Sequence, residues 1–554
     1  MATPNTALEA LLGQFAAGPL SGPDEERQLR AALSADPDRM ALLNGMAASG
    51  QLRGFAIETS NATLVGTYDR QAGMIHLPAA SFRDGDLEPV AGLQVLVADF
   101  SRRSWRDSNG QSHSITQDMV DNLNATFNGS PVLAAQVKAA VALSHVQHLS
   151  LLDNGMAAGA TYDGTVGDGT PKGINLPPVA LQRWSPGTPQ GTYDAQDLTF
   201  VLGHEIQHGF NDAEKDKATL DFLRDIAIQA KAPGPVHDYS DELRAYLGAG
   251  RDDEAKAQIA GWNALLSRQR QFNPHADGIG LMLNTQNDRL LDFVRADPLN
   301  PSQAVVNSGI TFNPDGSLSP TPANVAAMGK HYFDRPSPLH AQPGERPVTL
   351  GEGRPGPSAD YTNYYGTWAV ERIIAAEDRA DVRHRGARPQ IAIDMAGLGL
   401  REDLIEMEGL DLGTNRAPRP YLDTSRSPAA TGHFHHTQDA SMGHDHQHVP
   451  VADLPRIMRS GDAVVDAWIE ALQDGDHAAA RAVQRAFADS IEGRGMWAEA
   501  TGTAVRNTGQ GHGPAPSPER ALPASDGRWP DAVPSIPFPS GPHELAELQQ
   551  AMQR

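Results

Sequence analysis

Cysteine is absent from all 554 residues. No disulfide can form, so the fold should be indifferent to redox state and able to pass between reducing and oxidising compartments. Long apolar runs are missing too. Nothing approaches the roughly 18 uninterrupted apolar residues of a membrane span, which argues against stable membrane insertion. Positive charge is scarce: 45 Lys and Arg face 68 Asp and Glu, for a formal net charge of −23. A chain so acidic disfavours phosphate backbones, and nucleic acid is not an expected partner despite a local basic patch at 379–388. The opening stretch MATPNTALEALLGQFAAGPL carries no Lys or Arg ahead of its apolar positions. It therefore lacks the basic region of a secretory leader, and the expectation is a protein that is cytoplasmic before export and is secreted or translocated by another route.

What is present is enough apolar residue, 40 % of the chain, to fill a real core across two or three domains. Residues 1–50 pattern as amphipathic helices, with Leu8, Leu11, Leu12 and Phe15 on one face. Strand-like phrases follow at 55–58, 64–69 and 74–78. The wording Thr67-Tyr68-Asp69, a Gly-containing turn, then Ile75-His76-Leu77-Pro78 returns as Thr161-Tyr162-Asp163 and Ile174-Asn175-Leu176-Pro177. This is either one hairpin used twice or two unrelated hairpins. Residues 115–152 pattern as helix, with His145 and His148 as ordinary helix-face residues. The Pro-, Gly-, Asn- and Ser-rich stretch 300–358 predicts long loops over a cleft. Tyr361 to Arg379 predicts a helix, 391–400 a buried strand and turn, and 404–412 the close of a region spanning 51–415. Beyond it come a His-rich linker at 416–450, a small helical module at 451–500 and a Pro/Gly-rich flexible tail at 501–554. The linker holds His433, His435, His436, His444, His446 and His448, a density that offers loose metal binding, although a solvated linker is the favoured reading.

Chemistry concentrates in 198–211, LTFVLGHEIQHGFN. Asp194 can cap a helix and Asp197 put charge near its start, after which Leu198, Val201, Leu202 and Ile206 recur at helical spacing. On such a helix His204 and His208 project from one face, one turn apart, with Glu205 rotated about 100° from His204. The run Gly209 to Asp212 is expected to end the helix. Burying two imidazoles and a carboxylate on an apolar helix is costly unless something pairs them, and a metal pairs all three. The plainer alternative is a core helix whose histidines are satisfied by hydrogen bonds.

The segment resembles the active-site helix of zincin metallopeptidases. The resemblance implies an α+β fold: a zincin-like catalytic domain with a small sheet and an active-site helix, flanked by helical N-terminal and C-terminal segments. It also implies Zn²⁺ as cofactor, with His204 and His208 as ligands and Glu205 as the general base. The metzincin continuation fails, because Asn211 and Glu214 stand where Gly and His belong, and Asp212, Asp216 and Asp221 lack the context of the aspzincins. The gluzincin pattern takes a Glu from a second helix downstream, and Glu254 fits, ahead of an apolar stripe of Ala255, Ile259, Trp262 and Leu266. Asp253, Glu242, Asp252 and Glu214 remain alternatives. Zincins also supply an oxyanion donor from a later segment. Tyr364 and Tyr365 are the candidates here, with His237 and His275 behind them. In the same family the edge strand before the active-site helix binds the peptide, the position of the second hairpin.

A leaderless, cysteine-free chain with this motif is similar to effector toxins injected by bacteria into competitors, type IV effectors of Xanthomonas relatives being nearest. Their usual carboxy-terminal recognition motifs are not evident. The implied activity is hydrolysis of peptide bonds in peptidoglycan stems or in a target-cell protein, with an immunity protein and a secretion adaptor as partners. A catalytically silent zincin-fold binding protein and a metal-binding protein built on the late His tract are the other readings.

Overall fold

The computed structural model describes residues 3–450 except 61, 108–109, 153–158, 165–170, 184–190, 275–277, 286, 298, 301–302, 349, 351–358, 382–387, 414–415 and 439–448. The chain divides into Met1–Ala452 and Asp453–Arg554. The helical module and tail expected at 451–554 lie outside the described residues. The architecture is α+β, mixing helices with small sheets. Among the described residues no helix is long and apolar enough to cross a membrane.

The repeated T-Y-D phrase belongs to a much larger repeat. Helices Pro23–Ser34 and Pro37–Ala48 precede strands Gly54–Glu58, Thr67–Asp69 and Met74–Pro78, and helix Leu87–Phe100 follows. Helices Gln117–Asn128 and Pro131–Ala142 precede strands His148–Leu151, Thr161–Asp163 and Gly173–Leu176, and helix Ala195–Gln229 follows. In both sheets the last strand is central, parallel to the first and antiparallel to the second, with Tyr68 opposite Ile75 and Tyr162 opposite Ile174. The finer details repeat as well. Gly50 and Ser144 both take positive φ after the second helix, and the Tyr68 and Tyr162 hydroxyls donate to the carbonyls of Gln51 and His145, each 17 residues upstream. The copies interlock, since Leu87–Phe100 packs on strand His148–Leu151 and helix Pro131–Ala142, and Gln117–Asn128 packs on strand Thr67–Asp69. His145 and His148 consequently sit after the helix and at the start of a strand, not on a helix face as the sequence suggested.

Ala195–Gln229 is capped as expected, the Asp194 side chain accepting from the Gln196 N–H, but it runs on for 35 residues instead of ending at 209–212. Gly209 is there for approach rather than termination: a Cβ would lie 2.9 Å from that of His145. Against this helix packs the 33-residue helix Ser240–Phe272, running the opposite way. Two further glycines let them close. A Cβ on Gly203 would meet that of Ala264 at 2.7 Å, and one on Gly261 would meet the Phe200 ring at 2.8 Å. The predicted stripe Ala255, Ile259, Trp262 and Leu266 is buried.

Within the stretch expected to be loops, helix Pro322–His331 packs on Ser240–Phe272, its Thr321 side chain accepting from the Asn324 N–H as cap. Helix Tyr361–Asp381 follows. The linker expected at 416–450 is also corrected. Strands Arg419–Asp423 and Ala430–Phe434 join Gln390–Ile393, Val236–Asp238 and Val449–Pro450 in a five-stranded sheet with Arg419–Asp423 at its centre. Alternating burial in Ala430–Phe434 places Phe434 in the core against Tyr421, so this stretch, with His433 half-buried, obeys the period of a half-buried strand. A chain cut at 415 would lose that central strand.

Candidate metal centre

The antiparallel helices bring together what the sequence holds 46 residues or more apart. His204 and His208 face Glu254, and all three side chains are buried. The two Nε2 atoms are 3.1 Å apart, and Glu254 Oε2 lies 3.5 Å from that of His204 and 4.0 Å from that of His208. A tetrahedral zinc with ligands about 2.0–2.2 Å away spaces their atoms roughly 3.3 Å apart, close to this triangle. Glu254 Oε2 is buried and accepts no hydrogen bond from a described residue. A carboxylate oxygen so placed is what a cation would satisfy, and the donor set of two imidazoles and one carboxylate suits zinc.

Each ligand is held from behind. His208 Nδ1 lies 3.0 Å from Asp253 Oδ1, and Asp253 in turn accepts from Asn211 at 2.8 Å and pairs with Lys215 at 3.1 Å. His204 Nδ1 lies 3.2 Å from Gln258 Oε1, while the Gln258 amide donates to Asp292 at 3.3 Å. Both contacts suit an Nδ1–H donor, which in the neutral ring would turn the Nε2 lone pair to the shared face. Tyr365 donates to Glu254 Oε1 at 2.9 Å, leaving Oε2 to the histidines. Asp253→Asn should therefore weaken any metal binding at this cluster by about 10–100-fold without unfolding the chain. Chelator competition measures it, and an unchanged affinity would deny Asp253 this orienting role.

Glu205 is buried beside the cluster. Burial raises its carboxyl pKa above the usual range, Glu254 adds to that, and the charges of His204 and His208 oppose it. For Glu254, burial also raises the pKa, but the contact with His204 and the charges of both histidines outweigh it and the net direction is down.

The other predicted residues separate. Tyr365 reaches the cluster, but as the residue that orients Glu254. Tyr364 is 42 % exposed, edge-on to Tyr365, and points to the surface side of the helix. His237 is buried in the five-stranded sheet, with Nδ1 2.6 Å from Glu377 and Nε2 2.9 Å from the Ala232 carbonyl, so both nitrogens are engaged there. His275 lies outside the described residues. Glu214 is exposed and pairs with Lys256. Asp252 is exposed, and Glu242 belongs to the first turn of its helix. Sequence reasoning missed Tyr332, whose ring stands edge-on to His204 with centroids 6.0 Å apart and whose hydroxyl pairs with that of Tyr361. Burial raises the pKa of both phenols, keeping them protonated donors. Tyr361 opens the aromatic run 361–368, but Tyr332 had no local signal.

On the opposite side, strand Thr161–Asp163 pairs on one side only among the described residues. The Tyr162 ring lies 6.5 Å from that of His208, and its hydroxyl is fixed by the His145 carbonyl and by Asp212, 3.1 Å away. Compared with known protein families, curated proteins and solved structures, the chain matches none.

Proposed function

We propose that this protein is a zinc-dependent hydrolase of peptide bonds with a zincin-like catalytic region. The observation that carries the proposal is the convergence of His204 Nε2, His208 Nε2 and Glu254 Oε2 beside the buried carboxylate of Glu205. Zinc bound there would supply Lewis acidity, polarising a carbonyl and acidifying water. The remaining work belongs to the chain. Glu205, its proton affinity raised by burial, accepts a proton from the attacking water and delivers it to the leaving amine. Tyr332 and Tyr361 are the buried hydroxyls closest to the role of donor toward developing negative charge, in place of Tyr364. An extended peptide would add to strand Thr161–Asp163 as a further strand, which aligns its backbone along the active-site helix. Export as an effector toxin acting on peptidoglycan peptides or a recipient protein, with an immunity protein and an adaptor as partners, is proposed on the resemblance in sequence alone.

Retention of Glu205 favours turnover over a silent binding protein, because metal binding alone does not need that carboxylate. The test is to strip the full chain of metal, restore zinc alone and follow cleavage of peptidoglycan stem peptides and a mixed peptide library by mass spectrometry. Cleavage is expected only after zinc is restored. Zinc bound with no cleavage of any peptide would remove the hydrolase and leave the binding protein.

A further inference from the structure

Helix Glu402–Met407 presents Glu402 and Glu406 one turn apart toward strand Ala430–Phe434, and His435 follows that strand. Glu406 is 0 % exposed and Glu402 6 %. The strand makes room for them. Gly432 lies opposite Tyr421 in the sheet, and a Cβ on it would come within 2.7 Å of Glu402 Oε2 and 2.6 Å of the Tyr421 ring. The space a side chain would fill holds the carboxylate, which accepts from the Tyr421 hydroxyl at 2.7 Å. Glu406 Oε1 accepts from the His435 backbone N–H at 2.7 Å and lies 3.1 Å from its Nδ1. One ligand atom from each of the three side chains falls within 4.8 Å of the others.

Two buried carboxylates side by side present two negative charges in a medium that tolerates neither alone. A proton on Glu406, which burial makes easier to hold, and an imidazolium at His435 can together offset both charges. A divalent cation neutralises both and also takes the imidazole as a ligand. We propose that Glu402, Glu406 and His435 form a second, structural site for a divalent zinc-class ion, which fastens the short helix to the His-bearing strand of the five-stranded sheet. Two carboxylates and one imidazole are a donor set zinc accepts. The site is separate from the His204–His208–Glu254 cluster and stands whether or not that cluster hydrolyses anything. It also gives His435 of the late His tract a defined role in place of loose binding along a linker.

The experiment is a zinc count on the full chain, stripped with chelator, reloaded with zinc alone and dialysed, with elemental mass spectrometry as readout. Wild type is expected to hold two ions per chain, and His208→Ala, Glu406→Gln and His435→Ala one each. A variant with His444, His446 and His448 all changed to Ala should still hold two. A count unchanged in both Glu406→Gln and His435→Ala overturns the site, as does loss of the second ion only in the triple variant. Should the variants at 406 and 435 fail to fold, anomalous scattering at the zinc edge from wild-type crystals decides. A peak between Glu402, Glu406 and His435 supports the site, and no peak there overturns it.

Discussion

Glu205→Gln is expected to keep its zinc and to lose peptide hydrolysis by about 10²–10⁴-fold, the usual contribution of a positioned acid–base group. The amide has nearly the shape of the carboxylate, so the apolar helix face that buries it need not repack. The atoms proposed to hold the metal come from His204, His208 and Glu254, none of which depends on Glu205 for a hydrogen bond. What disappears is a buried group whose proton affinity is raised by its surroundings, and with it the means of taking a proton from water and returning it to the amine. Metal content and kcat must be measured on the same preparation. Full zinc with kcat within about tenfold of wild type would reject Glu205 as the base.

Glu254→Ala acts on the other half of the site. It removes the carboxylate that closes the ligand triangle and strands the Tyr365 hydroxyl without its acceptor. Zinc affinity should fall by more than the roughly 10–100-fold typical of an outer-shell partner, and hydrolysis should fall with it. Chelator competition beside Asp253→Asn separates the two residues. If Glu254→Ala costs no more than Asp253→Asn, the third ligand is not Glu254. Asp253 would be a strained substitute, because it is turned toward His208 Nδ1, on the far edge of the ring from the cluster.

The site was legible where its chemistry is local. The i, i+4 histidines, the intervening Glu and the capping Asp194 all lie within one helix, and the stripe from Ala255 to Leu266 announces the second helix on its own periodicity. Glu254 could be proposed only through the family pattern, since periodicity does not choose between adjacent acidic residues. The structure chooses by rotation about one helix, sending Asp253 behind His208 and Glu254 in front. What stayed hidden depends on close approach between distant segments. Gly209 reads as a helix end, yet it serves contact with His145. Tyr332 follows a helix hidden in a Pro-rich stretch. Ala430–Phe434 read as linker because a five-residue strand with one Gly and one His has little apolar alternation to announce it.

The repeated unit bears on how such a site could arise at all. One copy alone would leave bare the surfaces that Leu87–Phe100 and Gln117–Asn128 cover across the boundary, as a lone subunit of an obligate dimer would. Joined in one chain, the copies are free to diverge. The first unit ends in a 14-residue, mostly buried helix. In the second the corresponding helix is 35 residues long and carries His204, Glu205 and His208 on its buried part. The proposed chemistry therefore falls to one unit of the repeat, while both share the packing that holds its helix in place.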